Sequence, residues 1–346
     1  MAFFGIDMFC WWHILKRIME IVETKLALIG CGGIAQRHLQ SLKTMGGVRV
    51  IATCDVLREK AEAGAGSWHA QAYTDWRTML DHERPDALLV CTPVSARDGE
   101  LQEAIDRGIG LFVEKPAAAS TQAARELAAR AEAGGVVMAV GYMWRYLEAL
   151  EKAKELLAGR IVGAVRGTAM SQIEPGSWFW DKAKSGGQIY DQTTHLLNAA
   201  EVFTGPAQTV FAMGTAGRLH QADYVRTEDV SALSVMYRNG TVGTFVNSWA
   251  SSPTQFTLEL HGADFALTLD LWTDALRGVI DGVSVNYQGA NNPYLQEMET
   301  FVDAVRAGDP GQLRSPFRCG VETLETTLAA NRSLESGRAE TVEADR

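Results

Sequence analysis

An apolar run, Lys25–Ile29, leads directly into Gly30-Cys31-Gly32-Gly33-Ile34-Ala35. The spacing is G-x-G-x-x-A, set between a strand pattern and a helix pattern, and few folds accept it there. Gly30 permits the tight turn, Gly32 lets the backbone approach a diphosphate, and Ala35 keeps the next helix close to the sheet. Free N–H groups where that helix begins, at Gly33 and Ile34, favour an anion. A second apolar run, Val48–Cys54, ends at Asp55. That lies about 20 residues beyond the turn, where a carboxylate hydrogen-bonds ribose hydroxyls. A dinucleotide is therefore the expected ligand. Asp55 would repel a 2′-phosphate and favours NAD, while Arg58, close by in sequence, keeps NADP open.

The alternation around this turn extends over the first 140 or so residues, roughly one domain's length. Apolar runs recur at Ala87–Cys91, Gly110–Val113 and Val136–Gly141, separated by helical patterns that often end at glycine (Gly46, Gly108, Gly134). Such alternation predicts a parallel sheet with right-handed crossovers and helices on both faces. After a helix near Leu147–Ala158 the character changes. Val230–Tyr237 and Thr241–Ser248 flank Asn239-Gly240, a strong hairpin signal. Further hairpins are expected at Gly262-Ala263-Asp264 and Asp281-Gly282, and two helices close the chain near Tyr294–Ala307 and Phe317–Leu334. The fold class is thus α/β: a doubly wound dinucleotide domain, 19–143, followed by an α+β domain, 144–346, with an open, mostly antiparallel sheet. The uncovered face of that sheet suggests a homodimer or homotetramer.

Bulk properties narrow the partners. The chain has 346 residues, 21% of them charged, and a formal net charge of −10. That balance argues against nucleic acid and against an anionic membrane surface. The five scattered cysteines form no C-x-x-C pair, and read as small buried hydrophobes in a reducing cytoplasm. Residues 1–18 are apolar but interrupted by Asp7, with Lys16 and Arg17 after the run rather than before it. This is neither a secretory signal nor long enough for a bilayer span. An extension outside the fold fits best, with a surface helix against a partner subunit as the competing possibility.

Three clusters carry chemistry. Thr92-Pro93 closes the β-run Ala87–Cys91, either beside a ligand or simply as a strand stop. Glu114-Lys115-Pro116 follows the run Leu111–Val113, so Lys115 is placed to stabilise a developing alkoxide. Asp191, His195 and Asn198 are spaced by four and then three residues. On a helix they share a face, either as an Asp–His proton-transfer dyad or as an ordinary surface pair. No further ligand suggests a metal near them. Tyr142 and Arg145, after the last parallel strand, face a substrate or pack the domain boundary. Trp178 and Trp180 stack on a sugar ring or plug the junction.

The order GCGGIA, Asp55, CTP, EKP, GYMWRY and GG-x-x-x-D-x-x-x-H resembles the glucose–fructose oxidoreductase, inositol dehydrogenase and rhizopine-catabolism (Gfo/Idh/MocA) family over about residues 22–335. The resemblance implies hydride transfer between NAD(P) and a secondary hydroxyl or ketone of a sugar, sugar derivative or cyclitol. It places the family's lysine on Lys115, its catalytic histidine on His195 and the preceding acid on Asp191. Asp191 is then expected to orient the imidazole. Arg97 stands where relatives often carry histidine, Thr193 replaces a glycine, and Asn198 replaces an aspartate, which implies altered hydroxyl recognition. Two other activities stay compatible with the resemblance: glycoside hydrolysis with retained NAD, and non-catalytic dinucleotide sensing.

Overall fold

The computed structural model describes residues 23–343. The stretch 1–18 and Cys10 lie outside them. The first sheet contains β1 (Thr24–Ile29), β2 (Val48–Cys54), β3 (Gln71–Tyr73), β4 (Ala87–Val90), β5 (Gly110–Val113) and β6 (Met138–Val140). All six are parallel, in the order β3-β2-β1-β4-β5-β6. Every residue of β4 and β5 is buried, as continuous apolar runs require when helices cover both faces. The crossovers are α1 (Gly33–Leu42), α2 (Arg58–Gly66), α3 (Trp76–Glu83), α4 (Glu100–Asp106) and α5 (Thr121–Gly134). Asp75 caps α3 by accepting from the Thr78 N–H, and Ser120 caps α5 by accepting from Ala123. Strand order reverses between β1 and β4, which opens a crevice at their carboxyl ends.

After α6 (Glu148–Leu156) comes a nine-stranded sheet. It comprises β7 (Ala164–Gln172), β8 (Ala207–Thr215), β9 (Val230–Tyr237), β10 (Val242–Ser248), β11 (Ala250–His261), β12 (Phe265–Asp270), β13 (Ala275–Ile280), β14 (Val283–Gln288) and β15 (Glu340–Thr341). Its order is β14-β13-β12-β11-β7-β10-β9-β8-β15; β7 and β10 run parallel and the other neighbours antiparallel. The expected hairpins join β9–β10, β11–β12 and β13–β14. One face buries Leu233, Val235, Phe245 and Leu258 against α7 (Thr194–Thr204) and α9 (Phe317–Ser336). The other leaves Met213, Met236, Val242 and Val246 exposed. The four described cysteines are unpaired, and three of them are buried.

Helix α8 (Pro293–Ala307) does not join the second sheet. It packs on α1, and Met298, Phe301 and Val302 complete the core of Leu26, Leu28, Leu39 and Phe112. The Phe112 and Phe301 rings meet edge to face at 5.6 Å. Three such apolar side chains, fully buried, contribute about 1.5–3 kcal/mol each. Helix α9 bridges both lobes: Phe317 and Leu324 belong to the first core, Ala329 and Ala330 to the second.

Candidate active site

The glycine turn explains itself atom by atom. Gly30 has φ +86°, and a Cβ there would lie 2.9 Å from backbone atoms of Cys91 and Thr92. The end of β1 can therefore sit against the end of β4 only without a side chain. Gly32 differs: its backbone is extended, and nothing lies within 4 Å of where a Cβ would be. No side chain caps α1, so its first N–H groups open onto that space. Asp55 is fixed at the end of β2, accepting from Cys31 N–H and Leu57 N–H at 2.9 Å each. An open glycine edge, an uncapped helix start and a fixed carboxylate are the features a dinucleotide's diphosphate and ribose require.

These groups line one end of a cavity of about 980 Å³. Gly30, Gly32, Gly33, Ile34, Asp55, Thr92, Pro93, Glu114, Lys115, Trp178, Asp191 and His195 all reach it. The chain's two lobes thus meet around a single space. Lys60 and Arg77 also line it, but Arg58 does not; Arg58 lies within 3.6 Å of Glu62 one turn on in α2.

Lys115 follows β5, and its peptide bond to Pro116 is cis. Its ammonium donates to Asp191 Oδ1 at 3.0 Å and to the Asp191 carbonyl at 2.8 Å, with both side chains mostly buried. Arg97 fixes the surrounding loops, donating to the carbonyls of Thr92, Glu114, Pro116 and Ala117. A histidine there could not reach four acceptors, because the contact needs the guanidinium fork.

Asp191 is therefore paired with Lys115, and not with His195 as the spacing suggested. Residues 189–193 form a π-helical turn, in which the Thr194 N–H reaches back five residues to Ile189. That wider turn takes Asp191 off the line above His195, so a spacing of four no longer stacks the two side chains. His195 opens α7 and packs against the rings of Tyr142 (5.6 Å) and Trp144 (5.4 Å). Its Nδ1 has no hydrogen-bond partner. Burial, and then the nearby Lys115 charge, hold its pKa well below 6.5. The imidazole is thus neutral at pH 7 and able to accept a proton.

Several anticipated substrate contacts are placed elsewhere. Tyr142 is buried, its hydroxyl bonded to Thr194 Oγ1 at 2.7 Å, and its ring meets the His195 ring edge to face. Arg145 donates to Asn198 Oδ1 at 2.7 Å, and Asn198 donates to Thr323 Oγ1 at 2.9 Å. These polar groups satisfy one another between α7 and α9, away from the cavity. Trp180 is 1% exposed, donates to the Glu174 carbonyl and stacks on His220. Trp178, two residues earlier, is 44% exposed and stacks on Phe179 at the cavity wall. The polar segment after Gly214 is folded back, with Asp229 accepting from the His220 N–H at 3.0 Å. Phe179, Met143, Tyr294 and Glu297 also line the cavity. For the last two, the only signal in the sequence is an amphipathic helix whose destination lies far away in the chain.

A parallel sheet of this order, with its switch-point crevice closed by a lysine and a neutral histidine, defines a dinucleotide-linked oxidoreductase. Residues 24–142 match the model of the GFO_IDH_MocA oxidoreductase family, NAD-binding Rossmann fold, and residues 121–268 match the GFO/IDH/MocA C-terminal domain. The chain belongs to the Gfo/Idh/MocA family. It is 27% identical over 351 residues to D-glucoside 3-dehydrogenase of Escherichia coli K12, covering 93% of this chain and 99% of that one. It is 23% identical over 331 residues to myo-inositol 2-dehydrogenase of Thermotoga maritima, covering 91% and 97%. GenD2 from gentamicin A biosynthesis, solved in complex with NAD, superposes with a TM-score of 0.80 at 25% identity, covering 93% and 97%. An NAD-binding oxidoreductase from Klebsiella pneumoniae shares the fold at a TM-score of 0.82 and 21% identity. Among the described residues no helix is long and apolar enough to cross a membrane.

Proposed function

We propose that this oxidoreductase acts on a secondary hydroxyl, or the matching ketone, of a sugar, sugar derivative or cyclitol. The observation that carries the reading is the convergence of Lys115 and His195, from separate lobes, on the cavity that contains the glycine turn. NAD, when bound, takes up or returns the hydride. Gly32, Gly33 and Ile34 would hold its diphosphate and Asp55 its adenosine ribose, with the carboxylate favouring NAD over NADP. In oxidation, neutral His195 accepts the hydroxyl proton. The Lys115 ammonium donates to the same oxygen and offsets its growing negative charge. Asp191 holds the amine in place through two contacts, and so acts on the oxygen through Lys115. The stacked Trp178–Phe179 pair offers an apolar surface to a sugar ring.

The test is nicotinamide absorbance with purified protein and a panel of sugars, cyclitols and their keto forms, using NAD and NADP. Lys115→Met and His195→Ala are expected to lower kcat/KM at least about 100-fold while dinucleotide binding persists. Full turnover by either variant would falsify the assignment. The exposed strip Met213, Met236, Val242 and Val246 supports a homo-oligomer formed through the second sheet. Light scattering on wild type and Val246→Lys tests this, with a monomeric wild type as the contrary result.

A further inference from the structure

Glu297 on α8 has no part in the chemistry above, yet it lines the same cavity as Lys115. It is 1% exposed, and its Oε1 has no hydrogen-bond partner. A buried acid oxygen left in this state costs free energy unless something else supplies the partner. The neighbours of Glu297 fix which end of the cavity it occupies. Its carboxyl is within electrostatic reach of Glu114, at the end of β5. Glu114 in turn bonds His38 Nε2 at 2.7 Å and lies against Gly141, beyond β6. Asp55, beyond β2, marks the opposite end. A dinucleotide with its adenosine at Asp55 and its diphosphate at Gly32 brings its nicotinamide toward Glu114 and Glu297.

Burial, and then the Glu114 charge, push Glu297 well above the usual carboxylate range. That shift favours the protonated acid, which offers one O–H donor and one carbonyl acceptor. A carboxamide presents the complementary pair. We propose that Glu297 binds the carboxamide of the nicotinamide ring, its unpartnered oxygen accepting from the amide NH₂ and its hydroxyl donating to the amide carbonyl. The contact would set which face of the ring is turned to Lys115 and His195. The proposal rests on the dinucleotide reading above.

The experiment measures dissociation constants by calorimetry for NAD⁺, ADP-ribose and 3-acetylpyridine adenine dinucleotide, which has a methyl group where NAD⁺ carries the amide NH₂. Glu297→Met is expected to weaken NAD⁺ about tenfold and ADP-ribose less than about twofold. Glu297→Gln, which keeps an acceptor and a donor, is expected to stay within about threefold of wild type for NAD⁺. Wild type should bind the acetylpyridine analogue more weakly than NAD⁺, and Glu297→Met should no longer distinguish them. Equal losses for NAD⁺ and ADP-ribose would place the contact on the ribose or the fold and overturn the proposal. If Glu297→Met does not fold, the wild-type comparison decides: equal affinity for NAD⁺ and the acetylpyridine analogue overturns it. Wild type that binds none of the three overturns the dinucleotide reading itself, and the proposal with it.

Discussion

Two glycines of one turn should fail in opposite ways when each is changed to alanine. Gly32 has φ −73°, which alanine adopts freely, and no atom lies within 4 Å of the new methyl. The cost to folding is that of a poorer helix start, below about 1 kcal/mol. The methyl, however, occupies the space through which the diphosphate reaches the N–H groups of α1. Losing one charge-assisted hydrogen bond costs about 1.5–3 kcal/mol, or roughly 10- to 150-fold in Kd. Gly30 is the reverse case. Its φ of +86° charges an alanine about 1–2 kcal/mol for left-handed backbone. Its Cβ would also meet backbone of Cys91 and Thr92 at 2.9 Å, which no rotamer can relieve. Gly30→Ala should therefore cost about 2 kcal/mol or more in stability, lowering Tm by several degrees. Thermal melts without ligand and calorimetric titration with NAD⁺ separate the two effects. Gly32→Ala that binds NAD⁺ within twofold of wild type would show that the diphosphate does not approach at this edge, and the cavity would need another occupant.

Three further outcomes follow from buried groups. Asn198→Ala removes the acceptor of the Arg145 Nε–H and one donor to the Thr323 hydroxyl, while Arg145 keeps its backbone acceptors and Thr323 keeps Glu201. It should cost about 1–3 kcal/mol of stability with KM unchanged, and a raised KM at constant Tm would return Asn198 to the substrate. Burial raises the Glu201 pKa from 4.5 to about 8. Over that interval the unfolded chain loses a proton that the folded one keeps, so on this account stability falls as pH rises and levels off above about 8. Urea melts of Glu201→Gln across that range should show a flatter pH slope than wild type, and an identical slope would contradict the assignment. His195, held well below 6.5, stays neutral in the folded state where the unfolded chain protonates. Its contribution to stability is therefore lost as pH falls below about 6.5, while it remains available as a base there. An acid limb of kcat/KM centred at 6.5 and absent in His195→Gln would contradict this.

What the sequence disclosed was whatever depends on near neighbours. The strand before Gly30, the acid at Asp55, the lysine after β5 and the Asn239-Gly240 hairpin are each local, and each stands where the pattern placed it. The π-turn at 189–193 has no comparable signature: a four-residue spacing implies a shared helix face for Asp191 and His195, and the structure pairs Asp191 with Lys115 instead. Trp178 and Trp180 are alike as letters. The difference between an exposed stack and a buried plug lies in His220, forty residues away. Arg145 and Asn198 are polar residues beside a predicted site, and only the facing helix α9 shows that they serve each other.

Helix α8 has a consequence for any attempt to treat this molecule as interchangeable parts. The first sheet's inner layer is finished by Met298, Phe301 and Val302, supplied from the far end of the chain. A graft that exchanged only the leading portion, cut after Val140, would transplant a sheet with one flank stripped and Phe112 in water. Recombinants that swap cofactor preference should therefore carry the tail segment 293–307 together with the head. Those that leave it behind should be recovered in inclusion bodies.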